Sequence, residues 1–273
     1  MKNIKGVTLI ATLVLAMGVF AGCVDSGEPT IGDSGKQVLR MGVEDTYPPY
    51  EYKNEANETI GFDIDLAHAI AEKLDMELEI VSTSFDGIFT GLNAGNYDVI
   101  ISAVSMTPGR LENMLFSEPY LSNGQVIVTK KDGINITKHE ELTGLNVGVQ
   151  LGTTADTAAE KYAKDNDFEV IKYDEIIQTF TAIKAGHVDA IAVDYAVAID
   201  YVSNEPESYQ VSEVMLTNEP IAVVIKKGNE PLQEKINQAL KEIREEGKLK
   251  ELSLEWLGDD YTSNIDTELE VVE

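Results

Sequence analysis

The sequence predicts an α/β protein of two similarly built lobes, and three features carry that prediction. From residue 38 onward short apolar runs alternate with amphipathic segments, the mark of βαβ units and largely parallel sheets. A pattern recurs: LNAGNYDVIIS at 92–102 and IKAGHVDAIAVD at 183–194 share the order aliphatic, any residue, Ala, Gly, two residues, Asp, any residue, Ile. Finally, two apolar segments ending in lysine pairs, GQVIVTKK at 124–131 and PIAVVIKK at 220–227, flank the second copy. A chain that crosses at the first and returns at the second leaves one lobe continuous and completes the other with the C-terminal helices.

The chain opens on a targeting segment. Lys2 and Lys5 precede an apolar stretch at 7–20, and Ala21 and Gly22 lead into Cys23. The stretch is shorter than the ~20 residues that span a bilayer. Its end resembles the lipobox of bacterial and archaeal lipoproteins, with Phe20 departing from the commoner aliphatic residue. That resemblance implies a signal peptide at 1–22, a lipid on Cys23 and tethering to the outer side of a membrane. Residues 23–37 are rich in Gly, Ser, Asp and Pro without periodicity and read as a flexible tether.

The elements of the folded part follow in order. LRMGV at 39–43 reads as a strand. DLAHAIAEKL at 65–74 puts Leu66, Ala69, Ile70, Lys73 and Leu74 at helical spacing on a predominantly apolar face, and ELEIVS at 77–82 reads as the next strand. Each copy of the repeat reads as a helix end capped by glycine, at Gly95 or Gly186, followed by a tight connection and a buried strand. LNVGVQ at 145–150 is a strand leading through Gly152-Thr153-Thr154 into a helix. Helices at 231–247, capped by Gly247, and at 248–258 close the fold, with Trp256 as a core anchor. Residues 259–273 form an acidic C-terminal tail. These assignments put one lobe at 38–125 plus 224–258 and the other at 126–223, with hinge strands at its ends.

Composition excludes several functions. The 21 Lys plus Arg stand against 48 Asp plus Glu, a net charge of −27, with no basic run to neutralise phosphates, so no nucleic-acid partner is expected. His68, His139 and His187 are scattered and Cys23 is the single cysteine, which leaves no metal-ligand spacing, no disulfide and no expected cofactor.

Ligand sites in open α/β sheets lie beyond the carboxyl ends of the strands. Reading those ends gives Glu44 after the first strand and Ser105 after DVIISAV. Thr107 and Pro108 then open a helix with Arg110 in its first turn. Gly152 to Thr154 and Asp194 end two further strands. The planar fork of Arg110 suits a carboxylate, and the helix start at Gly152 to Thr154 adds N–H groups and a positive dipole end. Asp194 and the Ser105 hydroxyl accept from an ammonium group. Together they complement a zwitterion, the α-ammonium and α-carboxylate of an amino acid. Each residue also has a plainer reading: Arg110 as a solvated surface residue, Asp194 as a helix cap, Gly-Thr-Thr as an ordinary helix entry.

The segments GVEDTYPPYEY, GFDIDLAHAIAEKL, SFDGIFTGLNAGNYDVIIS, MTPGR, FSEPYLSNGQ, QLGTTAD and GHVDAIAVD occur in that order. Over 38–258 the chain resembles the solute-binding proteins of polar amino-acid ABC transporters, the lysine/arginine/ornithine-, histidine- and glutamine-binding family. The resemblance implies a periplasmic-binding-protein-like fold of type II, with two hinge strands and a ligand cleft between the lobes. It implies a monomer that closes on an L-amino acid and delivers it to permease subunits. Carried over by residue, Arg110 meets the carboxylate with Ser105, Thr153 and Thr154, while Asp194, the Ser105 hydroxyl and the Ala103 carbonyl meet the ammonium. Tyr47 and Phe85 sandwich the ligand side chain, whose polar end meets Glu44, with Gln125 alongside. The family often has Asp at the position of Glu44 and Trp at that of Phe85. A basic side chain is the expected ligand, glutamine the alternative. The resemblance leaves two rivals: a cyclohexadienyl dehydratase-like enzyme, in which Glu44 and Asp194 would serve as acid and base, and an amino-acid sensor or adhesin.

Overall fold

A computed structural model describes residues 30–33 and 35–267. The expected signal peptide, Cys23 and the first part of the tether lie outside these residues. In chain order the elements are β1 (Val38–Val43), β2 (Thr46–Tyr47), β3 (Glu51–Lys53), β4 (Thr59–Ile60), α1 (Phe62–Lys73), β5 (Glu77–Ser82), α2 (Phe85–Ala94) and β6 (Val99–Ile100). There follow α3 (Pro108–Asn113), β7 (Leu115–Phe116), β8 (Gln125–Lys130), β9 (Asn146–Gln150), α4 (Thr154–Asn166), β10 (Glu169–Tyr173) and α5 (Ile176–Ala185). The last are β11 (Ala190–Asp194), α6 (Tyr195–Asn204), β12 (Tyr209–Met215), β13 (Val224–Ile225), α7 (Glu230–Glu245) and α8 (Lys248–Leu257).

Two five-stranded sheets organise the lobes. The first has the order β5-β1-β6-β13-β7 and the second β10-β9-β11-β8-β12, while β2, β3 and β4 form a small antiparallel sheet beside the first. In each lobe one strand, β1 or β9, pairs in parallel with both neighbours, and the strands beyond them run antiparallel. The repeat in the sequence has a structural cause. Gly95 and Gly186 adopt the left-handed conformation that ends α2 and α5. Asp98 donates its N–H to Arg40 and accepts the Arg40 N–H on its carboxylate, at 2.9 and 3.0 Å. Asp189 does the same with Asn146, at 2.8 and 2.9 Å. Between glycine and aspartate the chain lays Tyr97 over Gly42 and Val188 over Gly148, where any larger residue would collide or crowd. The shared letters are therefore the hinge between helix and central strand, built twice.

Each sheet is covered by helices whose apolar stripe faces it. In α7 the buried Ile236, Ala239, Leu240 and Ile243 recur at helical spacing, and complete burial of each leucine or isoleucine stabilises by about 1.5–3 kcal/mol. Trp256 is partly buried against the same core, edge-on to Tyr52, and donates Nε1–H to Asp65 at 2.8 Å. Gly61 precedes α1 at φ +134°, and a Cβ there would strike the carbonyl oxygen of Tyr50. Gly61→Ala is expected to cost at least about 1–3 kcal/mol from the backbone alone, read as a lower urea midpoint; an unchanged midpoint would contradict this.

The two crossings between lobes are laced together. Ile221 and Glu219 donate their N–H groups to Leu121 and Asn123, each at 2.9 Å, and Leu216 donates to Gln125 at 2.7 Å. PIAVVIKK does not form one continuous strand. Only Val224–Ile225 joins the ladder, because Pro220 lacks an N–H and the residues after it bond to the irregular segments at 104–106 and 117–121. The chain is thus already bonded to the first lobe at Pro220, ahead of residue 224. Residues 259–264, the start of the acidic tail, are docked: Tyr261 accepts from the Ser122 N–H at 2.8 Å and sets its ring edge-on to Tyr195 of the second lobe. No helix among the described residues is long and apolar enough to cross a membrane.

Candidate functional site

The carboxyl ends of β1, β6, β9 and β11 meet at the seam between the lobes, around a narrow cleft. The first lobe lines it with Glu44, Tyr47, Phe85, Ala103, Ser105 and Arg110, together with Ser102. The second contributes Gln150, Thr153, Thr154 and Asp194. All the residues expected to touch ligand thus lie together except Gln125, which sits one layer behind. Its Nε2 donates to Asp194 Oδ1 at 2.8 Å and to Thr154 Oγ1 at 3.1 Å, so it adjoins Asp194, the expected ammonium acceptor, rather than Glu44 at the expected side-chain end.

Arg110 is positioned by local capping. Thr107 is the N-cap of α3, its hydroxyl accepts the Arg110 N–H at 3.1 Å, and Pro108 supplies the preset first helical residue. The half-buried guanidinium spans the seam, donating from Nη1 to the Ser105 carbonyl at 2.9 Å and from Nη2 to the Gly152 carbonyl at 3.3 Å. It lies over the rings of Phe89 and Phe85, 5.0 and 5.9 Å from their centroids. Burial lowers its pKa to about 10, against the attraction of Glu219 and Asp194, so it is cationic at neutral pH.

Asp194 precedes α6 but makes no side-chain cap. Its buried carboxylate accepts instead from Tyr47 Oη, Asn123 Nδ2 and Gln125 Nε2. Burial nevertheless pushes its pKa up to about 6. Glu44 is also buried, and its Oε1 accepts from Thr46 Oγ1 at 2.9 Å and from Gln150 Nε2 of the other lobe at 2.7 Å. Burial raises its pKa to about 7, with Glu175 and Asp45 adding repulsion. Thr153 caps α4, accepting the Asp156 N–H at 3.2 Å and donating to the Gln150 carbonyl at 2.7 Å.

Among the described residues, the bonds that cross the seam at the cleft include Tyr47 to Asp194, Gln150 to Glu44 and Arg110 to Gly152. The lobes are closed, and each of these bonds engages a group able to hold a charged ligand. The charged residues of the lining are Glu44, Asp194 and Arg110, two acids and one base. With all three ionised the lining is one negative charge in excess, which complements a ligand of net charge +1. Among the described residues no group of three or more His, Cys, Asp or Glu is placed to hold a metal ion.

Sequence reasoning missed Asn123, Gln150, Phe89 and Glu219. Phe89 follows Phe85 at helical spacing, a signal that could have paired them beneath Arg110. Glu219, in the second crossing, is fully buried with neither carboxylate oxygen hydrogen-bonded. Nothing in its local sequence marks it.

Comparison with known proteins places these residues in a family. The sequence profile of the bacterial extracellular solute-binding proteins, family 3, matches residues 39–259. The chain is 31% identical to ABC transporter arginine-binding protein 1 of Escherichia coli, over 83% of this chain and 93% of that protein. It is also 31% identical to the L-cystine-binding protein TcyJ of the same organism, over 82% and 84%. Among solved structures, an ancestral arginine-binding protein bound to arginine superposes with a TM-score of 0.78 at 40% identity, covering 81% of this chain and 98% of that one.

Proposed function

The chain belongs to family 3 of the bacterial extracellular solute-binding proteins, and from that premise we propose that it captures a cationic L-amino acid between its lobes and delivers it to the membrane subunits of an ABC importer. The family places the chain outside the cytoplasm, and its relatives are named as binding proteins rather than enzymes. The observation that carries the ligand class is the charge of the lining, Glu44 and Asp194 against Arg110. In this reading Arg110, with Ser105, Thr153 and Thr154, binds the α-carboxylate. Asp194, the Ser105 hydroxyl and the Ala103 carbonyl bind the α-ammonium. Tyr47 and Phe85 flank the aliphatic stem, and Glu44 pairs with the side-chain cation. Arginine-binding relatives support the same choice. The binding reading gives a role to both acids that the dehydratase reading would use, and the relatives named as binding proteins favour it. Anchoring through a lipid on Cys23 completes the proposal.

A micromolar ligand needs about −8 kcal/mol. Charge-assisted hydrogen bonds contribute about 1.5–3 kcal/mol each, so the two ends of a zwitterion supply much of this before the entropic cost of association. Closure follows as selection: only the closed lobes bring Arg110 and Asp194 onto one ligand.

The test is a thermal-shift screen of the L-amino acids followed by calorimetry, with arginine expected to stabilise most. Glu44→Gln is expected to weaken arginine about tenfold or more and glutamine little; equal losses would remove Glu44 from selectivity. The pH dependence has a definite sign. A side-chain cation needs Glu44 ionised, and its raised pKa of about 7 keeps part of it protonated near neutrality. Affinity for arginine therefore rises between pH 6 and 8, by up to about tenfold per unit where the acid is mostly protonated, and Glu44→Gln flattens the rise. Glutamine is the second reading, favoured by the Gln150 amide that already donates to Glu44 at 2.7 Å.

A further inference from the structure

Beneath the ligand cleft, in the first lobe, two acids lie side by side within hydrogen-bonding reach of each other. Glu51 on β3 and Asp63 in the first turn of α1 are fully buried. Each holds one of two consecutive residues of the cleft floor. Glu51 Oε1 accepts from Ser102 Oγ at 2.7 Å, and Asp63 Oδ2 accepts the Ala103 N–H at 2.6 Å. The other Asp63 oxygen accepts from Tyr120 Oη at 2.8 Å. Ser102 Oγ in turn accepts the Glu44 N–H at 3.1 Å, which ties the same pair to the side-chain end of the cleft. Ala103 sits at φ +47°, a left-handed conformation that an alanine adopts at a cost and keeps only where its surroundings fix it.

Glu51 Oε2 has no conventional partner although it is sealed from solvent. An ionised carboxylate with a bare buried oxygen beside a second carboxylate is strongly disfavoured, whereas a carboxylic acid there can donate to its neighbour. Asp63 is the better carboxylate of the two, with a backbone N–H and a phenol already donating to it. Burial and the repulsion of Asp63 hold Glu51 well above the ordinary glutamate range, which agrees with that division.

We propose that Glu51 and Asp63 form a buried acid pair sharing one proton, Glu51 as carboxylic acid and Asp63 as carboxylate, and that the pair positions Ser102 and Ala103 for ligand. Both are positioning residues: they act through the turn that sets Ser102 and Ala103 in the cleft lining. The binding readout of the test rests on the amino-acid reading of the cleft, whereas the infrared readout does not, so failure of one is distinguishable from failure of the other.

The experiment compares Glu51→Gln, Glu51→Ala and Asp63→Asn in the folded protein. At pH 8 the infrared difference spectrum, wild type minus Glu51→Gln, is expected to contain the carbonyl stretch of a protonated carboxyl. Glutamine keeps a donor toward Asp63 and an acceptor for Ser102, so Glu51→Gln is expected to bind L-arginine within about threefold of wild type. Glu51→Ala and Asp63→Asn are expected to lose tenfold or more. Tyr120→Phe removes one donor from Asp63 without touching Ala103, and is expected to lower the melting temperature while leaving affinity unchanged. Absence of the protonated-carboxyl band would overturn the shared proton. Binding by Glu51→Gln as weak as that by Glu51→Ala, or wild-type binding by Asp63→Asn, would overturn the positioning role. Should Asp63→Asn fail to fold, the two Glu51 variants decide the matter alone.

Discussion

Arg110→Ala is expected to lose amino-acid binding by about 2–5 kcal/mol, roughly thirtyfold to several thousandfold in affinity by titration calorimetry. Without the guanidinium, a ligand carboxylate enters a cleft whose other ionisable lining residues, Glu44 and Asp194, are both acids. Stability should respond differently. Burial disfavours the Arg110 cation where it stands, and the side chain spends its bonds on two carbonyls of opposite lobes. The ligand-free variant is therefore expected to melt close to wild type. Arg110→Lys keeps the charge but loses the fork and should fall between the two. An unchanged affinity in Arg110→Ala would remove the carboxylate assignment.

Asp194→Asn is expected to cost about 3–5 kcal/mol in affinity, because a buried ammonium is left without its counter-charge. The ligand-free protein should be no less stable than wild type, since the neutral amide relieves the burial that raises the Asp194 pKa to about 6. Loss of binding with retained stability separates a ligand contact from a structural acid; parallel losses would mark Asp194 as structural. The pH dependence follows from the same shift. An ammonium ligand prefers ionised Asp194, so the Asp194 contribution to affinity is complete only about a unit above pH 6 and is lost as pH drops through that value. Asp194→Asn should abolish that lower limb while leaving the Glu44-dependent rise nearer neutrality.

The outline of this site was legible because strand ends are legible. Apolar runs closed by Glu44 and Asp194, and a Thr-Pro helix start before Arg110, are local signals, and topology brings such ends together. The repeat was legible for a similar reason: glycine at a left-handed helix end and aspartate bonded to the adjacent strand are short-range requirements that recur whenever the unit is built. What escaped reading depends on separate segments meeting. Asn123 and Gln125 acquire their role only because the two crossings are laced together, which turns the first of them toward Asp194. Gln150 ends a strand like its neighbours, but its bond to Glu44 exists only across the closed seam. Glu51 and Asp63 belong to quoted motifs, yet as letters they are two surface-like acids 12 positions apart, and only the packing of α1 beneath the cleft floor buries them side by side. PIAVVIKK misleads in the other direction, since its composition is that of a strand while Pro220 and its irregular partners break the ladder.

The central claim is that a zwitterion is held from both lobes while its side-chain cation meets Glu44. Calorimetry with L-arginine and with agmatine, which keeps the guanidinium and the primary ammonium but lacks the carboxylate, tests it most directly. The account predicts tight binding of L-arginine and at least a hundredfold weaker binding of agmatine, about 2.7 kcal/mol or more; agmatine binding as tightly as arginine would contradict it.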